Sequence, residues 1–324
     1  MKAAHLTACK NFEIIDSPTP RLDPKVIGSI LVKTAYSAVC GSDLPRFSLA
    51  SETFPKRPGQ PMHECIGTVV ESYSDRFQAG DRVLALPDEN SGLAEYFLSS
   101  ETRTIALDNT TPWQAEHVLA QPLGTVLCAL RRLDNLLDKT VVVLGQGPIG
   151  LMFTQMLGLM GAKSIVAIEP VSHRLTLAGE RFATHLINPE TENTLQVVAD
   201  ITHGKMADIV IEAVGHQSQT VNDAIALTRH KGTLVAFGVP DEPHYVLNFN
   251  ELFRRNISLL GSVGPNPGRD FTLALDLISQ KRFNTVGLMS HKMHFTRAQE
   301  AFELAISKQD RVVKIILEYE SENL

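Results

Sequence analysis

The most informative segment of this chain is Val141-Val142-Val143-Leu144-Gly145-Gln146-Gly147-Pro148-Ile149-Gly150. Its four apolar residues predict a buried strand, and the apolar stretch from Leu151 to Leu157 predicts a helix directly after it. The glycines match the pattern G-x-G-x-x-G in the strand-to-helix context that binds a dinucleotide. Gly145 permits a tight turn, Gly147 lets a pyrophosphate approach the backbone, and Gly150 allows helix and strand to pack closely. The N-terminus of the helix then faces the phosphates.

A carboxylate further along the chain supports the same interpretation. The next predicted strand, 164–168, ends in Glu169, which lies 19 residues after Gly150. A carboxylate there can accept both hydroxyls of the adenosine ribose and repels a 2′-phosphate, so the sequence predicts NAD in preference to NADP. Arg174 and Arg181 are nearby cations that oppose this preference. They are most simply solvated side chains of the next helix, with the alternative that Arg174 covers the adenine.

The predicted pattern of strands and helices differs on the two sides of residue 139. C-terminal to it, buried-strand runs alternate with helical stretches, which is typical of a doubly wound parallel sheet. N-terminal to it, short β-branched runs separated by turn residues predict a small β-rich domain. The predicted strands are 29–33, 66–70, 81–86, 141–144, 164–168, 207–211, 233–237 and 257–260, followed by a Pro/Gly turn at 265–268, helices near 270–281 and 296–307, and a last strand at 312–317.

Composition excludes several classes of protein. The chain has 324 residues, 44% of them hydrophobic, which is enough for two moderate cores. Its net charge of -6 carries no long run of one sign, so nucleic acid is not an expected partner. No apolar run reaches the roughly 18 residues of a membrane span, and the first residues have no secretory pattern, so we expect a cytoplasmic protein without a membrane partner. The four cysteines are scattered, which predicts reduced thiols and leaves a metal-ligand role open to one of them.

Two short motifs in the N-terminal region carry groups that can bind a metal. Cys40-Gly41-Ser42-Asp43 follows a predicted strand, and Met62-His63-Glu64-Cys65 opens another. Taken singly, Cys40 can be a small core residue, His63 a surface histidine and Glu64 a solvated charge. Their occurrence together, in a chain that also has a dinucleotide motif, favours a metal and catalytic site.

With these motifs the chain resembles the zinc-dependent medium-chain alcohol/polyol dehydrogenase family, including its sorbitol, threonine and glucose dehydrogenase branches. The resemblance covers nearly the whole chain. It implies an α/β fold in which a Rossmann domain at 122–262 is inserted into a GroES-like β-rich catalytic domain formed by 1–121 and 263–324. The other matching pieces are 79–83, 93–96, 122–124, 212–215 and 237–239.

The resemblance also implies roles for individual residues. One catalytic zinc would be held by Cys40, His63, Glu64 and Gln121. Ser42 would hold the substrate hydroxyl, and Asp43 would orient the imidazole of His63. Zinc would lower the pKa of the alcohol, whose alkoxide then releases a hydride to the nicotinamide. The implied cofactor-binding residues are Gly145, Gly147, Pro148, Ile149, Gly150, Glu169, Arg174, Val214, Gly215, Phe237, Val239 and Ser262.

Four features depart from the family pattern. The four-cysteine segment that binds a structural zinc in many relatives is missing between 86 and 93, so no second zinc is expected. Gln121 stands where Cys, Glu or Asp is usual, and an amide oxygen is a weak zinc ligand. Pro45 stands where relatives often have the histidine that ends a proton relay, so Glu64 or water would receive the proton that Ser42 passes on. Met62 replaces a glycine and is expected to narrow the site.

These residues lead to one main functional hypothesis and two alternatives. The main hypothesis is an NAD-dependent, zinc-assisted oxidoreductase of EC 1.1.1 type that acts on a secondary alcohol in a polyol, sugar or amino alcohol. The first alternative is a zinc-free medium-chain reductase that retains Cys40, His63 and Glu64 as a relic. The second is a catalytically silent, NAD-binding regulatory protein. The expected partners are a small alcohol or ketone substrate and further copies of the chain, in a homodimer or homotetramer.

Overall fold

The computed structural model of the protein describes residues 1–49, 51–110 and 112–319. The chain forms two compact units. The first contains Met1–Gly124 together with Pro265–Leu324, and the second contains Thr125–Gly264. None of the helices in the described part of the chain is long and apolar enough to cross a membrane.

Strands dominate the N-terminal part of the first unit. They are β1 (Lys2–Ala8), β2 (Asn11–Asp16), β3 (Ser29–Ala38), β4 (Glu64–Ser72), β5 (Arg82–Ala85), β6 (Tyr96–Ser100) and β7 (Thr104–Ala106). The helices of this part are α1 (Leu44–Ser48) and α2 (Ala120–Leu130), and short 3-10 turns lie at Gly41–Asp43, Asp88–Asn90, Glu101–Arg103 and Ala115–Leu119. The boundary between the two units falls inside α2, after Gly124.

The second unit alternates strands and helices. Its strands are β8 (Thr140–Leu144), β9 (Ser164–Ile168), β10 (His185–Ile187), β11 (Ala207–Glu212), β12 (Thr228–Ala236) and β13 (Ser258–Gly261). Its helices are α3 (Pro148–Leu159), α4 (Ser172–Gly179), α5 (Thr194–Ile201), α6 (Ser218–Leu227) and α7 (Phe249–Arg254).

All six strands of the second unit are parallel, in the order β10-β9-β8-β11-β12-β13. This is the 3-2-1-4-5-6 order of the dinucleotide-binding doubly wound fold. Central strands such as β8 are buried on both faces, which explains their continuous apolar sequence. The predicted doubly wound sheet is confirmed. Because β8 and β11 are neighbours, the order of connection reverses between them, and ligands of such sheets bind at the carboxyl ends of the strands there.

The C-terminal segment completes the first unit. A π-helical turn (Pro267–Phe271) leads into α8 (Thr272–Ser279), which is followed by β14 (Met289–His294), a 3-10 turn (Phe295–Arg297), α9 (Ala298–Ser307) and β15 (Lys314–Glu318). The seven-stranded sheet of this unit has the order β14-β15-β3-β4-β5-β7, with β6 also paired to β3. Its core combines residues from both ends of the chain, including Phe47, Phe97, Phe302 and Leu317. The C-terminal strand is therefore an integral part of the N-terminal domain.

Candidate active site and nucleotide-binding site

Three side chains that can ligate a metal meet in the first unit. β3 and β4 are antiparallel and pair Ala38 with Glu64, so the residues just after β3 lie beside the beginning of β4. This arrangement brings Cys40, His63 and Glu64 together, with one ligand atom from each within 4.8 Å of the others. Cys40 and His63 are half-buried, and Glu64 is fully buried. Within residues 1–49, 51–110 and 112–319, no other group of three or more His, Cys, Asp or Glu side chains is arranged in this way.

Asp43 holds the imidazole of His63 and the loop of Cys40 at the same time. Its Oδ1 lies 3.0 Å from Nδ1 of His63, and its Oδ2 accepts the backbone N–H of Cys40 at 3.1 Å. With Nδ1 engaged, Nε2 of His63 is the nitrogen left for a metal. Burial by itself lowers the pKa of His63, but the charge and hydrogen bond of Asp43, aided by Cys40, outweigh it and hold this pKa well above 6.5.

Ser42 lies next to the thiol of Cys40. Its hydroxyl donates a hydrogen bond to Cys40 Sγ at 3.3 Å, and its side chain is half-buried. The 3-10 turn Gly41–Asp43, which runs directly into α1, fixes this position. A hydroxyl at this point can exchange its bond to sulfur for a bond to a substrate oxygen.

Glu64 has a cationic partner that the sequence motifs do not reveal. Lys314, at the start of β15, donates a hydrogen bond to Glu64 Oε1 at 2.9 Å, and its Nζ lies 2.7 Å from Oε2. It also donates to the carbonyl oxygen of Val39 at 3.2 Å. The side chains of Lys314 and Glu64 are 2% and 0% exposed. Burial lowers the pKa of Lys314, but the negative charges of Glu64, Cys40 and Asp43 outweigh it and raise this pKa, so the lysine is charged.

The two oxygens of Glu64 are not equivalent. Oε1 accepts the hydrogen bond of Lys314, whereas Oε2 is buried and accepts no hydrogen bond, although Nζ is close to it. Proximity without hydrogen-bond alignment leaves a lone pair of Oε2 unsatisfied. Lys314 is thus ion-paired with both oxygens of Glu64, and Oε2, which accepts no aligned hydrogen bond from the described residues, is the oxygen that could turn to a metal.

Gln121, Pro45 and Met62, which mark the departures from the family pattern, have defined positions. Gln121 is buried in the first turn of α2, and its place among the metal ligands stays a proposal. Pro45 occupies the first turn of α1 and has no group that transfers a proton. Met62 is fully buried, with its backbone N–H bonded to Asn90 O at 2.7 Å and its carbonyl to Gly92 N at 3.0 Å. The short segment at 88–92 thus fixes the backbone that precedes His63.

The glycine turn of the second unit has the geometry that its sequence predicts. Gly145 has a φ of +84°, in the left-handed region that favours glycine. A Cβ atom at Gly150 would lie 1.8 Å from the carbonyl oxygen of Gly145. A Cβ at Gly147 would meet nothing closer than a guanidinium nitrogen of Arg174, at 3.9 Å. Helix α3 begins at Pro148, and no side chain caps its N-terminus. The turn is therefore tight where helix meets strand and open at Gly147, where the sequence predicts the approach of a pyrophosphate.

Glu169 folds back onto this turn. It accepts the backbone N–H of Gln146 at 2.6 Å and that of Val171 at 3.1 Å, and it is 5% exposed. The side chain of Gln146 is buried as well, bonded to Val143 O and to Thr154. The carboxylate is thus fixed at the carboxyl end of β9, beside the glycines.

The two arginines near Glu169 are buried, contrary to the prediction from the sequence. Arg174 and Arg181 are 8% and 2% exposed, so the expectation that they are solvated is wrong. Burial lowers the pKa of each guanidinium, and Glu169 partly opposes this effect at Arg174. Arg181 donates a hydrogen bond to the carbonyl oxygen of Leu177 and covers the end of α4. Arg174 is the cation that lies beside the glycine turn.

The other predicted cofactor residues collect at the carboxyl edge of the same sheet. Val214 and Gly215 follow β11, Phe237 and Val239 follow β12, and Ser262 follows β13. The backbone N–H of His216 donates to Val239 O at 2.8 Å, which ties two of these loops together. Val214 and Val239 are 38% and 47% exposed. Exposed apolar side chains at this edge are suited to cover the flat faces of nucleotide rings.

Comparisons with known proteins agree with this arrangement. Residues 27–120 match the family model of the alcohol dehydrogenase GroES-like domain, and residues 148–280 match that of the zinc-binding dehydrogenases. The D-arabinitol dehydrogenase 1 of Uromyces fabae is 28% identical over 95% of each chain. The D-arabitol-phosphate dehydrogenase of Enterococcus avium is 26% identical over 89% of each chain. The alcohol dehydrogenase TADH from Thermus sp. ATN1 has the same fold, with a TM-score of 0.88 and 23% identity over 99% of this chain and 100% of that one.

The sequence motifs, the metal-ligating cluster and the two matching family models, which together span most of the chain, lead to one assignment. The predicted GroES-like and Rossmann architecture is confirmed. This chain belongs to the zinc-type medium-chain alcohol/polyol dehydrogenase family and is an oxidoreductase that acts on alcohols.

Proposed function

We propose that this enzyme transfers a hydride between a secondary alcohol of a polyol, sugar or amino alcohol and NAD, assisted by one zinc ion bound in the first unit. The observation that carries the proposal is the meeting of Cys40, His63 and Glu64 within 4.8 Å. A thiolate, an imidazole and a carboxylate are typical zinc ligands. The carboxylate oxygen that accepts no hydrogen bond and the Asp43-bound imidazole both suit a metal.

The proposed ligands are Cys40, His63 and Glu64, with Gln121 or water completing the set. When bound, zinc supplies Lewis acidity that favours the alkoxide form of the alcohol. Ser42 holds the hydroxyl of the alcohol and accepts its proton, because it lies beside Cys40 and is partly open to solvent. Water then takes the proton from Ser42. We favour water over Glu64 for this step because Glu64 is fully buried and paired with Lys314.

For the cofactor, we propose NAD in preference to NADP. Glu169 stands at the carboxyl end of β9 with its carboxylate fixed by two backbone N–H groups. A fixed negative charge there suits a ribose diol and repels a 2′-phosphate. Arg174 moderates the repulsion, since its guanidinium interacts with the Glu169 charge.

The relatives support a polyol-like substrate. The Uromyces protein is named for D-arabinitol and the Enterococcus protein for D-arabitol phosphate. Both names describe chains of adjacent hydroxyl groups, with and without a phosphate. We therefore place the substrate of this enzyme among polyols, sugars and their derivatives.

Metal analysis followed by a substrate screen tests the proposal. We expect one zinc per chain and NADH formation with at least one polyol, sugar or amino alcohol. Removal of zinc with a chelator should abolish the activity, and adding zinc back should restore it. Activity that persists without metal would favour the zinc-free reductase instead. A zinc-loaded protein that binds NAD but oxidises no alcohol would favour the regulatory alternative.

We also propose that the enzyme is a homodimer or homotetramer. β13 is the edge strand of the second unit, and among the described strands it pairs only with β12. Leu259 in this strand is 40% exposed and Val263 just after it is 92% exposed. Covering such an edge with a second copy would bury both side chains. Light scattering of the purified protein distinguishes the monomer from these assemblies.

A further inference from the structure

One short helical segment carries both Ser42 and an exposed arginine. The 3-10 turn Gly41–Asp43 runs directly into α1 (Leu44–Ser48). Phe47 is fully buried, with its ring centroid 5.2 Å from those of Phe12 and Phe302, and this contact fixes which face of the segment points inward. Ser42 and Arg46 are four residues apart, so they lie on one face about a turn from each other. Arg46 is exposed.

Arg46 has no partner among the residues that the structure describes. Most arginines of the first unit do have one: Arg57 pairs with Glu89, Arg103 with Asp88, Arg269 with Asp270 and Arg297 with Glu300, while Arg76 bonds to Glu101 O and Arg82 stacks on Trp113. Arg21, Arg282 and Arg311 resemble Arg46 in this respect, but none of them belongs to the helical segment that carries Ser42 and Asp43. Arg46 is therefore the unpaired arginine of the catalytic segment.

The carboxylates near Arg46 in sequence already have other hydrogen-bond or ion-pair partners. Asp43, three residues earlier, is 1% exposed and divides its oxygens between His63 and the N–H of Cys40. Glu52 pairs with Lys56. The positive charge of Arg46 consequently stands uncompensated on the face of the segment that also presents the Ser42 hydroxyl.

We propose that Arg46 binds a terminal oxyanion of the substrate, a phosphate or a carboxylate, while the hydroxyl to be oxidised lies at Ser42. The guanidinium offers a planar fork of donors that matches either oxyanion through two parallel hydrogen bonds. An extended polyol chain connects the two points, so Arg46 selects substrates by the group at the far end. This inference rests on the proposed oxidation of polyols and specifies which of them the enzyme prefers.

The test compares three substrates on the zinc-loaded enzyme: a hexitol 1-phosphate, an aldonate of the same chain length and the neutral hexitol. Wild-type enzyme should have its highest kcat/KM on one of the two anionic substrates. In Arg46→Gln the ratio of kcat/KM for that anion to kcat/KM for the neutral hexitol should fall by about 10- to 100-fold, mainly through KM, because a charge-assisted contact is lost. Arg46→Lys should recover part of the ratio, since the charge remains without the fork.

Arg21→Gln is the matched control, because Arg21 is also exposed and unpartnered within the described residues but lies in the loop between β2 and β3. It should leave the ratio unchanged. Calorimetric titration of wild type and Arg46→Gln with the preferred anionic substrate adds a readout that is independent of turnover, and the variant should bind it at least about tenfold more weakly.

Two failures are distinguishable. If wild-type enzyme oxidises neutral polyols and gains nothing from either anion, or if Arg46→Gln keeps the wild-type ratio and affinity, the role of Arg46 is refuted and the proposed function stands. If neither these three substrates nor any other polyol, sugar or amino alcohol is oxidised in the presence of zinc and NAD, the proposed function itself fails. A loss with the phosphate but not the aldonate identifies the phosphate as the recognised group, and the reverse result identifies the carboxylate.

Discussion

The glycine turn of the second unit and the metal cluster of the first are assembled in opposite ways. The turn is one contiguous segment, 141–150, joined by a carboxylate from the next strand. The cluster takes Cys40 from the residues just after β3, His63 from just before β4 and Glu64 from the start of β4. Its cationic partner, Lys314, comes from a strand 250 residues after Glu64. In the turn, steric demands on single residues decide the geometry. In the cluster, the pairing of β3 with β4 and the charges of residues distant in sequence decide it together, and only folding brings those residues into contact.

Removing the thiolate of Cys40 should affect the metal cluster strongly and the glycine turn not at all. Cys40→Ala should lose zinc and at least about 100-fold of the activity, because a metal ligand matters more than a residue that orients one. NAD affinity should be unchanged, since the glycine turn lies in the other unit. Metal analysis and NAD titration of the same sample give both answers. Cys9→Ala is the matched control, because Cys9 is a half-buried thiol bonded to Ser48 O outside the cluster, and it should keep its zinc. Zinc retained by Cys40→Ala would place the site elsewhere.

Two glycine substitutions test the glycine turn through their effects on stability and NAD binding. Gly150→Ala places a Cβ 1.8 Å from a backbone oxygen, so the free energy of unfolding should fall by about 3 kcal/mol or more, with loss of NAD binding. Gly147→Ala meets no close atom and should change stability by only about 0.5 kcal/mol. It should nevertheless weaken NAD at least about tenfold, because its methyl group occupies the approach of the pyrophosphate. Equal NAD binding by Gly147→Ala and wild type would show that the cofactor does not approach this turn.

The fold was largely predictable where strands are continuously buried. The predicted strands at 141–144 and 164–168 match β8 and β9 to within one residue. β10, with three residues, was not predicted, nor were β1, β2, β6, β7 and β14. Such strands are short or half-exposed, and pairing with neighbours creates them more than their own pattern does.

The candidate site was predictable only in part, for a related reason. The candidate metal ligands lie in short contiguous motifs that can be recognised from the sequence. Lys314, by contrast, lies in the apolar run 312–317, and the presence of one lysine in that run was the only sequence feature that could have indicated its role. β15 is buried on both faces from Lys314 to Leu317, so alternation of polar and apolar residues could not show where the lysine points. The burial of Arg181 was missed similarly, because a helix end packed against a sheet does not differ in sequence from an exposed one.

Lys314→Met tests how much a residue distant in sequence contributes to the metal cluster. It leaves Glu64 buried without its cation, so the zinc-free protein should lose about 3 kcal/mol of stability. Zinc should restore more stability to this variant than to wild type, because the metal replaces the missing positive charge. Denaturant titrations with and without zinc measure both effects. The double variant Glu64→Gln/Lys314→Met removes the pair together and should be closer to wild type in stability than Lys314→Met alone. A double variant as unstable as the single one would mean that the lysine acts through packing.

Asp43→Asn should have a smaller effect, through the orientation and the pKa of His63. We expect zinc affinity to fall by about 10- to 100-fold, as is usual when the partner of a ligating histidine is lost. In wild type the raised pKa means that protons compete with zinc up to a pH above 6.5, and in the variant this competition should move to lower pH. In the zinc-free protein the protonated His63–Asp43 pair stabilises the fold below the unfolded pKa, and this contribution is lost as the pH rises through the higher folded pKa. Zinc affinities measured across this range check the shift. An unchanged pH profile in Asp43→Asn would mean that Asp43 does not set the pKa.

The smallest expected effect concerns Glu169, which lies outside the contiguous glycine segment of the nucleotide site. Glu169→Gln keeps the shape of the side chain and an oxygen that can accept the N–H of Gln146, so the turn should survive. It removes the negative charge that favours the ribose diol and repels a 2′-phosphate. We therefore expect the preference for NAD over NADP to narrow by about tenfold, or 1.4 kcal/mol, with part of the change coming from tighter NADP because Arg174 is then unopposed. Titration with both cofactors measures the two affinities separately. Glu180→Gln, which neutralises an exposed carboxylate just after α4, is the control and should leave both affinities unchanged. If Glu169→Gln keeps the full preference, cofactor choice is made at another residue of the strand edge and not by this carboxylate.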